Sequence, residues 1–351
     1  MIYYLIYFYS LTLGFFNINF KVNKKITIFF EVSFFALLVF IAGLRGNVGT
    51  DTQEYLRFWY GLAPLYSYDS DYYSNFELGY KFVFSIIKIF SNSDITFLLF
   101  NALLALVPLY IGLKKILNDQ VLISLIIYYS VFFIPYTLNG MRQAIAMGLF
   151  VFVLPYILSK KSIHVIFTAI LASLFHSSGF LILVSYIFYI IAKKIKKWFY
   201  LFSFICALIF YKLGLGSIIL FNYTSVNRDV YTIEFNESTS FFQIVIRTAI
   251  AFFIMFFAIN LEKKNKLILN LFNVYWLGYL LYIVFADNNM ISTRFNMFFR
   301  ILEIVLVPLI ISAYSIKFNK NSILVLFLIP CFIIFYYSSI FVDNMYEFFW
   351  E

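Results

Sequence analysis

Residues 26–44 read ITIFFEVSFFALLVFIAGL, a run with one charged residue, Glu31, between the pair Lys24-Lys25 and Arg45. A helix needs about 20 apolar residues to cross the hydrocarbon core of a bilayer, so this run predicts a membrane-spanning helix. The rest of the chain is similar, because 63% of its 351 residues are hydrophobic and 12% are charged. A soluble domain averages about 45–50% apolar and about 25% charged residues. The composition therefore excludes a water-soluble fold.

Similar runs recur along the chain and predict an all-α, polytopic membrane protein with about 12 transmembrane helices in a single integral membrane domain, 1–351. The segment 77–91 is short and carries Lys81 and Lys88, which predicts a re-entrant or interfacial helix. The two long connections, 45–76 and 213–240, are predicted loops. The predicted spans are 2–20, 26–44, 95–113, 121–138, 141–158, 162–175, 178–192, 198–212, 241–260, 267–286, 295–316 and 322–341.

Lysine and arginine divide between the two sides of this predicted topology. The lysines cluster in short connections that all lie on one side, which the positive-inside rule assigns to the cytoplasm. The net charge of +9 is thereby explained by topology, without a nucleic-acid partner. Both termini and both long loops then lie on the outer side. The arginines map to outer loops or outer helix ends: Arg45, Arg57, Arg142, Arg228, Arg247, Arg294 and Arg300.

This distribution of arginine is a functional signal. The planar guanidinium group binds phosphate and carboxylate bidentately, and the positive-inside rule does not account for arginine on the outside. We therefore expect an outer surface that handles anions.

The first polar cluster, RGNVGTDTQEY, covers residues 45–55 and follows the second predicted span. Its glycines permit turns, and Thr50, Asp51 and Thr52 are residue types that favour a helix N-cap. Arg45 at the interface either holds an anionic head group or snorkels beside a capped surface helix.

The second cluster, NGMRQ, covers residues 139–143 and opens a helix at the outer face. Arg142 adds positive charge to the positive end of the helix dipole, which disfavours the helix and favours a bound anion. Alternatively, Arg142 is an interfacial arginine that pairs with lipid phosphate.

The third cluster, Phe175-His176-Ser177-Ser178, forms a predicted hairpin tip on the outer side. A histidine at a partly desolvated turn can act as a general base near neutral pH. The alternative is a polar turn residue whose ring is satisfied locally.

The fourth cluster covers residues 287–295 and continues to Arg300 and Glu303. Arg300 and Glu303 are spaced i, i+3 on one helix and are predicted to pair. Charge within the apolar depth is costly and usually functional, although a purely structural pair is the alternative. Because all four clusters lie on the predicted outer side, they point to one outer site.

With these residues, the sequence resembles the EpsG family of Wzy-like exopolysaccharide and capsular polysaccharide polymerases. The resemblance covers nearly the whole chain and rests on the order and spacing of short motifs. They are Arg45 with Gly49-Thr50-Asp51-Thr52 and Tyr55, Met141-Arg142-Gln143, Phe175-His176-Ser177-Ser178, and Ser292-Thr293-Arg294-Phe295.

The resemblance implies a glycosyltransferase of the bacterial cytoplasmic membrane that joins oligosaccharide repeat units carried on undecaprenyl pyrophosphate. Outer arginines would cradle the pyrophosphate, and His176 or Asp51 would be the base. A flippase and a chain-length regulator are candidate partners, beside membrane lipids. On these grounds we predict catalytic roles for Arg45, Asp51, Arg142 and His176, and substrate binding by Thr50, Thr52, Tyr55, Gln143, Ser177, Arg294 and Arg300.

The residue types in the sequence give two further expectations about the site. The sequence has no dense carboxylate cluster of the kind that binds divalent metals, so we expect neither a metal nor another cofactor. Tyr55, Trp59 and Tyr60 either stack on sugar faces or belong to the interfacial aromatic belt.

Rival functions remain at this point. An O-antigen-ligase-type transferase would use nearly the same chemistry, and only the motif resemblance favours a polymerase. A flippase or transporter for lipid-linked sugars needs a polar path through the membrane, and the predicted inner halves of the helices carry almost no ionisable residue besides Glu31.

Overall fold

The computed structural model describes residues 2–19, 23–69, 71–192, 195–216, 218–219, 238–261, 265–314, 346 and 348–349. These residues form an all-helical fold without strands, as predicted, and an isolated antiparallel bridge pairs Arg45 with Phe348. The helices are α1 (Ile2–Asn19), α2 (Lys24–Gly43), α3 (Thr52–Gly61), α4 (Leu78–Phe90), α5 (Asp94–Leu117), α6 (Val121–Tyr128), α7 (Met141–Leu158), α8 (Ser162–Phe175), α9 (Leu181–Ile191), α10 (Lys197–Lys212), α11 (Phe241–Asn260), α12 (Lys266–Val284), α13 (Asn289–Arg300) and α14 (Glu303–Tyr314).

Each predicted span within the described residues coincides with helix, except that 295–316 is broken by a turn at residues 301–302. The predicted span 322–341 and most of the loop 213–240 lie outside the described residues. Within the described part, five helical stretches are long and apolar enough to cross a membrane, or six if the bent pair α13–α14 is one span. Together with the apolar composition, these stretches make the chain a multi-pass membrane protein. The count of about twelve crossings and the outer placement of both termini stay predictions.

The chain divides into two compact units, which are described separately. Unit 1 comprises residues 1–183 and 307–351, and unit 2 comprises residues 184–306. In unit 1, α5 and α7 pack closely because each contributes a glycine at the crossing. A Cβ on Gly112 would overlap the Val151 backbone, and a Cβ on Gly148 would overlap the Ala105 carbonyl. Small residues at such crossings let helix backbones approach.

Unit 1 has a lysine-rich end and an arginine-rich end. At the lysine-rich end, Lys114 Nζ lies 2.6 Å from the buried Glu31 carboxylate, and the Tyr156 ring stacks on His164 with centroids 4.7 Å apart. Arg45 and Arg142 lie at the opposite end, where α2 finishes and α7 begins. The division matches the predicted separation of the two cations, and the assignment of the arginine-rich end to the outer side stays a prediction.

Helix α4 begins and ends at the arginine-rich end of unit 1. Glu77 precedes its first residue and bonds Arg142, while Lys88 in its last turn donates to the Trp59 and Tyr60 carbonyls of α3. With 13 residues, α4 is also too short to span. It therefore does not cross unit 1, and whether it is re-entrant or interfacial stays a prediction. The region 45–76 above it contains α3 and is not an irregular loop.

The segment that leads into α7 is a π-helix, Tyr129–Asn139, which contains Pro135. The sequence suggested an uninterrupted span over 121–138. Proline removes a backbone donor, so the chain adopts a wider helix before Gly140 restarts it as α7. A hydrogen bond of 2.7 Å between the Tyr128 and Thr137 hydroxyl groups stabilises the π-helix.

Unit 2 has a polar bond network inside its aromatic core. The Tyr200 hydroxyl donates to Asn273 Oδ1 at 2.6 Å, and Asn273 Nδ2 donates to the Ala192 carbonyl at 3.0 Å. Helices α12 and α13 approach closely at Gly278, where a Cβ would overlap the Phe299 side chain. The network satisfies the buried amide of Asn273, which would otherwise be costly in an apolar interior.

Candidate active site

Glu77 is the centre of the polar site in unit 1. One of its carboxylate oxygens bonds Arg142 Nη1, and the other accepts the Ser177 backbone N–H at 3.0 Å. The side chains of Arg142 and Glu77 are 19% and 21% exposed, so a ligand can reach them without unfolding. Glu77 thus joins the NGMRQ cluster to the His176 turn. Glu77 was not among the residues predicted from the sequence, although it is the acid that opens the segment 77–91.

Helix N-termini converge on the Glu77 carboxylate. Glu77 is itself the N-cap residue of α4, Arg142 lies in the first turn of α7, and Ser177 opens the 3₁₀ helix before α9. Each N-terminus carries a partial positive charge, and the guanidinium adds a full one. The arrangement stabilises negative charge at this point. It also explains how α7 tolerates an arginine at its positive end.

Arg142 is held on several sides. Its Nη1 donates to the Asn75 carbonyl at 3.0 Å, and its guanidinium carbon lies 4.0 Å from the centroid of the Phe76 ring. The backbone N–H of Arg142 donates to the Tyr55 hydroxyl at 3.5 Å. The buried Nε has no hydrogen-bond partner in the described part of the chain. The guanidinium group is therefore pre-oriented.

Tyr55 connects Arg142 to the first polar cluster. Its side chain is buried, and burial is the main reason that the pKa of its hydroxyl is raised, with a smaller contribution from the Asp51 charge. The Arg142 charge partly opposes that increase. Tyr55 therefore stays protonated near neutral pH, and its hydroxyl serves as a hydrogen-bonding group beside Arg142.

Asp51 occupies the N-cap position of α3 with its side chain exposed. The carboxylate makes no capping bond to the helix and instead accepts the Thr50 hydroxyl at 3.0 Å. Thr52 is buried, and its hydroxyl donates to the Val48 carbonyl at 2.5 Å. Asp51 and Thr50 are thus accessible to a substrate, whereas Thr52 stabilises the turn before α3.

The His176 ring has a defined tautomer. Its Nδ1 accepts the Ser178 backbone N–H at 3.2 Å and lies 2.8 Å from the Ser178 hydroxyl. Because Nδ1 is an acceptor, the neutral ring carries its proton on Nε2. Nε2 is then a hydrogen-bond donor, which is unsuited to accepting a proton from an acceptor hydroxyl.

Arg45 is 2% exposed and points into unit 1. Its Nη2 donates to the Leu138 carbonyl at 2.7 Å, and its Nη1 lies 3.4 Å from the carbonyls of Thr137 and Ala42. These carbonyls belong to the C-terminal ends of the π-helix and α2, where the helix dipole is negative. Without a carboxylate partner, burial lowers the pKa of Arg45 to about 10. The guanidinium bonds the ends of two helices, and binding of an anion by Arg45 stays a prediction.

The fourth cluster lies in unit 2, where Arg300 and Glu303 pair as predicted. Arg300 Nε donates to Glu303 Oε1 at 3.0 Å, Nη2 donates to Oε2 at 3.3 Å, and both side chains are buried. The Tyr275 hydroxyl donates to the same Oε1 at 3.0 Å. Arg247 Nη1 is buried without a partner in the described residues, and Arg294 is exposed on α13. Arg228 lies outside the described residues.

The comparisons identify the group of proteins to which this arrangement belongs. The model of the EpsG family matches residues 28–350, nearly the whole chain. This chain belongs to the EpsG family. Comparison with curated proteins and with solved structures finds no significant match. Membership of the EpsG family indicates a role in exopolysaccharide polymerisation and a polysaccharide polymerase type of glycosyltransferase activity.

The structure of this EpsG family member brings several predicted site residues together. Arg142, Tyr55 and Ser177 join through Glu77 and the Arg142 backbone, with Asp51 on the same helix as Tyr55. Gln143 is buried in α7, so a substrate contact there would require an opening. The described residues contain no group of three or more His, Cys, Asp or Glu side chains placed to hold a metal ion. Substrate binding by these residues stays a prediction.

Proposed function

We propose that this EpsG family protein is a polysaccharide polymerase that joins undecaprenyl-pyrophosphate-linked oligosaccharide repeat units at the outer face of the bacterial cytoplasmic membrane. The observation that carries the proposal is the family match across nearly the whole chain, combined with a cationic site whose motifs meet at Glu77. In the reaction, an acceptor hydroxyl attacks the anomeric carbon of the donor. The bond to the lipid pyrophosphate breaks, and the pyrophosphate leaves with the bonding electrons.

Arg142 is the residue best suited to stabilise that leaving group. Its charge and the helix N-termini around it favour the negative charge that develops on the pyrophosphate. Glu77 keeps the guanidinium in place before the substrate arrives, so the protein does not have to reorganise during the reaction. Preorganised cations at a developing anion are a large term in enzyme catalysis.

Asp51 and His176 take different roles in this mechanism. Asp51 is exposed, and its carboxylate can accept the proton that the acceptor hydroxyl loses. The neutral His176 ring carries its proton on Nε2 and suits donation to an oxygen of the donor or of the leaving group. The family resemblance left His176 and Asp51 as alternative bases, and the bond at Nδ1 is our reason for preferring Asp51.

The two rival functions are a ligase and a flippase. A ligase would transfer finished glycan to another acceptor, and no observation favours it over a polymerase. A flippase would need polar groups along the membrane depth of unit 1. Glu31, the acid predicted at that depth, is already paired with Lys114 at the lysine-rich end.

The decisive experiment profiles surface polysaccharide from a deletion strain complemented with wild type, Arg142→Ala, Asp51→Asn or His176→Ala. A polymerase predicts that the deletion accumulates single lipid-linked repeat units and that folded Arg142→Ala does the same. Lys161→Ala removes an exposed cation at the lysine-rich end and serves as the control. Full-length polymer that stays lipid-linked would identify a ligase. Repeat units trapped on the cytoplasmic face would identify a flippase.

A further inference from the structure

Unit 1 contains a second polar feature, a cavity of about 450 Å³ on the opposite side of α3 from Arg142. It falls within the range of about 300–1,000 Å³ found for small-ligand sites. The cavity lies between the end of α2, the outer face of α3 and the start of α5. Its lining is Arg45, Gly46, Asn47, Gln53, Leu56, Arg57, Tyr60, Asp94, Leu98 and Phe349.

Helix α3 lies between this cavity and Arg142 and turns a different face to each. Gln53, Leu56, Arg57 and Tyr60 recur at helical spacing and line the cavity. Thr52, Tyr55, Phe58 and Trp59 form the buried face, and Tyr55 contacts Arg142 from that side. The cavity and the Arg142 site are therefore two sites at the same end of unit 1.

The lining has the chemistry of a saccharide site. Tyr60 is 61% exposed, and its ring stays at the cavity rim because its hydroxyl donates to Asp94 Oδ2 at 2.6 Å. The bond to Asp94 is the main reason that the pKa of Tyr60 is raised to about 12. An aromatic face can pack against the C–H face of a sugar ring. The Asn47 and Gln53 amides, the Asp94 carboxylate and the Arg57 guanidinium can bond its hydroxyl groups.

The lining also carries charge, with two arginines, Arg45 and Arg57, and one carboxylate, Asp94. The Arg45 side chain is almost fully buried, and its Nε, which has no hydrogen-bond partner among the described residues, is not open to the cavity. Because cations are present in the lining, inorganic pyrophosphate is the competitor against which a saccharide must be tested.

We propose that this cavity binds the saccharide end of the acceptor repeat unit, while the Arg142 site holds the pyrophosphate of the donor. The inference rests on the proposed function for the identity of the saccharide and for the place of the donor pyrophosphate at Arg142. Two separated subsites allow both reactants to be bound at once, which converts their encounter into a reaction within one complex.

The test measures binding of repeat-unit oligosaccharides to the full-length protein in nanodiscs by saturation-transfer difference NMR. The probe is prepared by partial hydrolysis of the strain's own polysaccharide. We expect the wild type to bind it, and Tyr60→Ala to weaken binding about tenfold, a typical loss on truncating an aromatic contact. Tyr60→Phe keeps the ring and should lose less. Tyr66→Ala removes an exposed tyrosine outside the cavity lining and should bind as wild type.

Several outcomes overturn the saccharide site. They are no binding by the wild type at millimolar probe, equal weakening by Tyr60→Ala and Tyr66→Ala, or displacement of the probe by inorganic pyrophosphate at equal concentration. A different outcome would refute the proposed function. Binding that depends on Tyr60 in a protein whose deletion leaves polymer length unchanged would keep the saccharide site and refute the polymerase. If Tyr60→Ala leaves both probe binding and polymer synthesis unchanged, the saccharide site is refuted and the polymerase is retained.

Discussion

Glu77 bonds Arg142 through one carboxylate oxygen, although the two residues are 65 positions apart in the chain. Its other oxygen accepts the Ser177 N–H. A partly exposed ion pair alone contributes little to stability. This one lies where helix N-termini meet, so its main effect is to hold Arg142 and the turn at His176 in fixed geometry.

Replacing Glu77 should impair activity through Arg142. We expect Glu77→Ala to lower the free energy of unfolding by about 1–3 kcal/mol, because it leaves the Ser177 N–H and the guanidinium without their acceptor. Polymer synthesis should fall at least about tenfold, and Arg142→Ala should cost about 10²–10³-fold, as for loss of one preorganised donor. Rates of polymer formation in membranes measure both.

A double-mutant cycle distinguishes positioning from direct catalysis. If Glu77 acts through Arg142, the double variant Glu77→Ala, Arg142→Ala should be no slower than Arg142→Ala alone. Glu77→Gln keeps an acceptor for Ser177 and should be more stable than Glu77→Ala. Additive losses in the double variant would give Glu77 a role of its own.

The tautomer of His176 gives a sharper test than removal of the ring. Asparagine can accept the N–H two residues ahead, as His176 Nδ1 accepts the Ser178 N–H. We therefore expect His176→Asn to unfold at the same temperature as wild type and yet lose about 10²–10⁴-fold in activity if the Nε2–H takes part in the reaction. His176→Ala should lose both turn stability and activity. Wild-type polymer from His176→Asn would show that the residue only shapes the turn.

Asp51 should be replaceable by asparagine without loss of fold. The amide still accepts the Thr50 hydroxyl and suits the N-cap position. A general base contributes typically about 10²–10⁴-fold, so Asp51→Asn should reduce synthesis within that range while thermal unfolding stays unchanged. Thr50→Val removes the hydrogen bond and leaves the carboxylate, so comparison with it separates the proposed base from the Thr50 hydroxyl, which is itself a predicted substrate contact. A fully active Asp51→Asn protein would exclude Asp51 as the base.

Hydrophobic runs predicted the helices well because a backbone in lipid must satisfy its own hydrogen bonds, which ties a long apolar run to a helix. The Arg300–Glu303 pair was likewise readable, since its partners are three residues apart on the chain. Local spacing carries both kinds of information.

Glu77 was not predictable in the same way, because its partners are distant in sequence. Nothing near Glu77 in the chain indicates that Arg142 and Ser177 will meet it, and only the packing of α4 against α8, beside the first turn of α7, creates the contact. The burial of Arg45 was missed for a related reason. Carbonyls left over by the π-helix accept hydrogen bonds from its two Nη groups, and no sequence pattern marked that helix.

Gly49 should be intolerant of any side chain. Its φ is +102°, and a Cβ there would overlap the side chain of Asn139. We expect Gly49→Ala to destabilise the protein by about 1–3 kcal/mol, the cost of a strained backbone position. Gly140→Ala is the control, since its φ is −74° and a Cβ meets nothing closer than 3.3 Å. Equal unfolding temperatures for the two variants would contradict the role of backbone conformation at Gly49.

The buried pair Arg300–Glu303 allows a structural role to be separated from substrate binding. Glu303→Ala leaves Arg300 buried without its carboxylate and should cost about 3–5 kcal/mol, whereas replacing both residues by methionine should be near neutral or stabilising. Thermal unfolding in detergent measures these effects. If Arg300 binds substrate, as the sequence analysis predicted, the stable double variant Arg300→Met, Glu303→Met should still fail to make polymer. Normal polymer from that variant would make the pair purely structural, because a methionine pair retains packing and has no charge with which to bind a pyrophosphate.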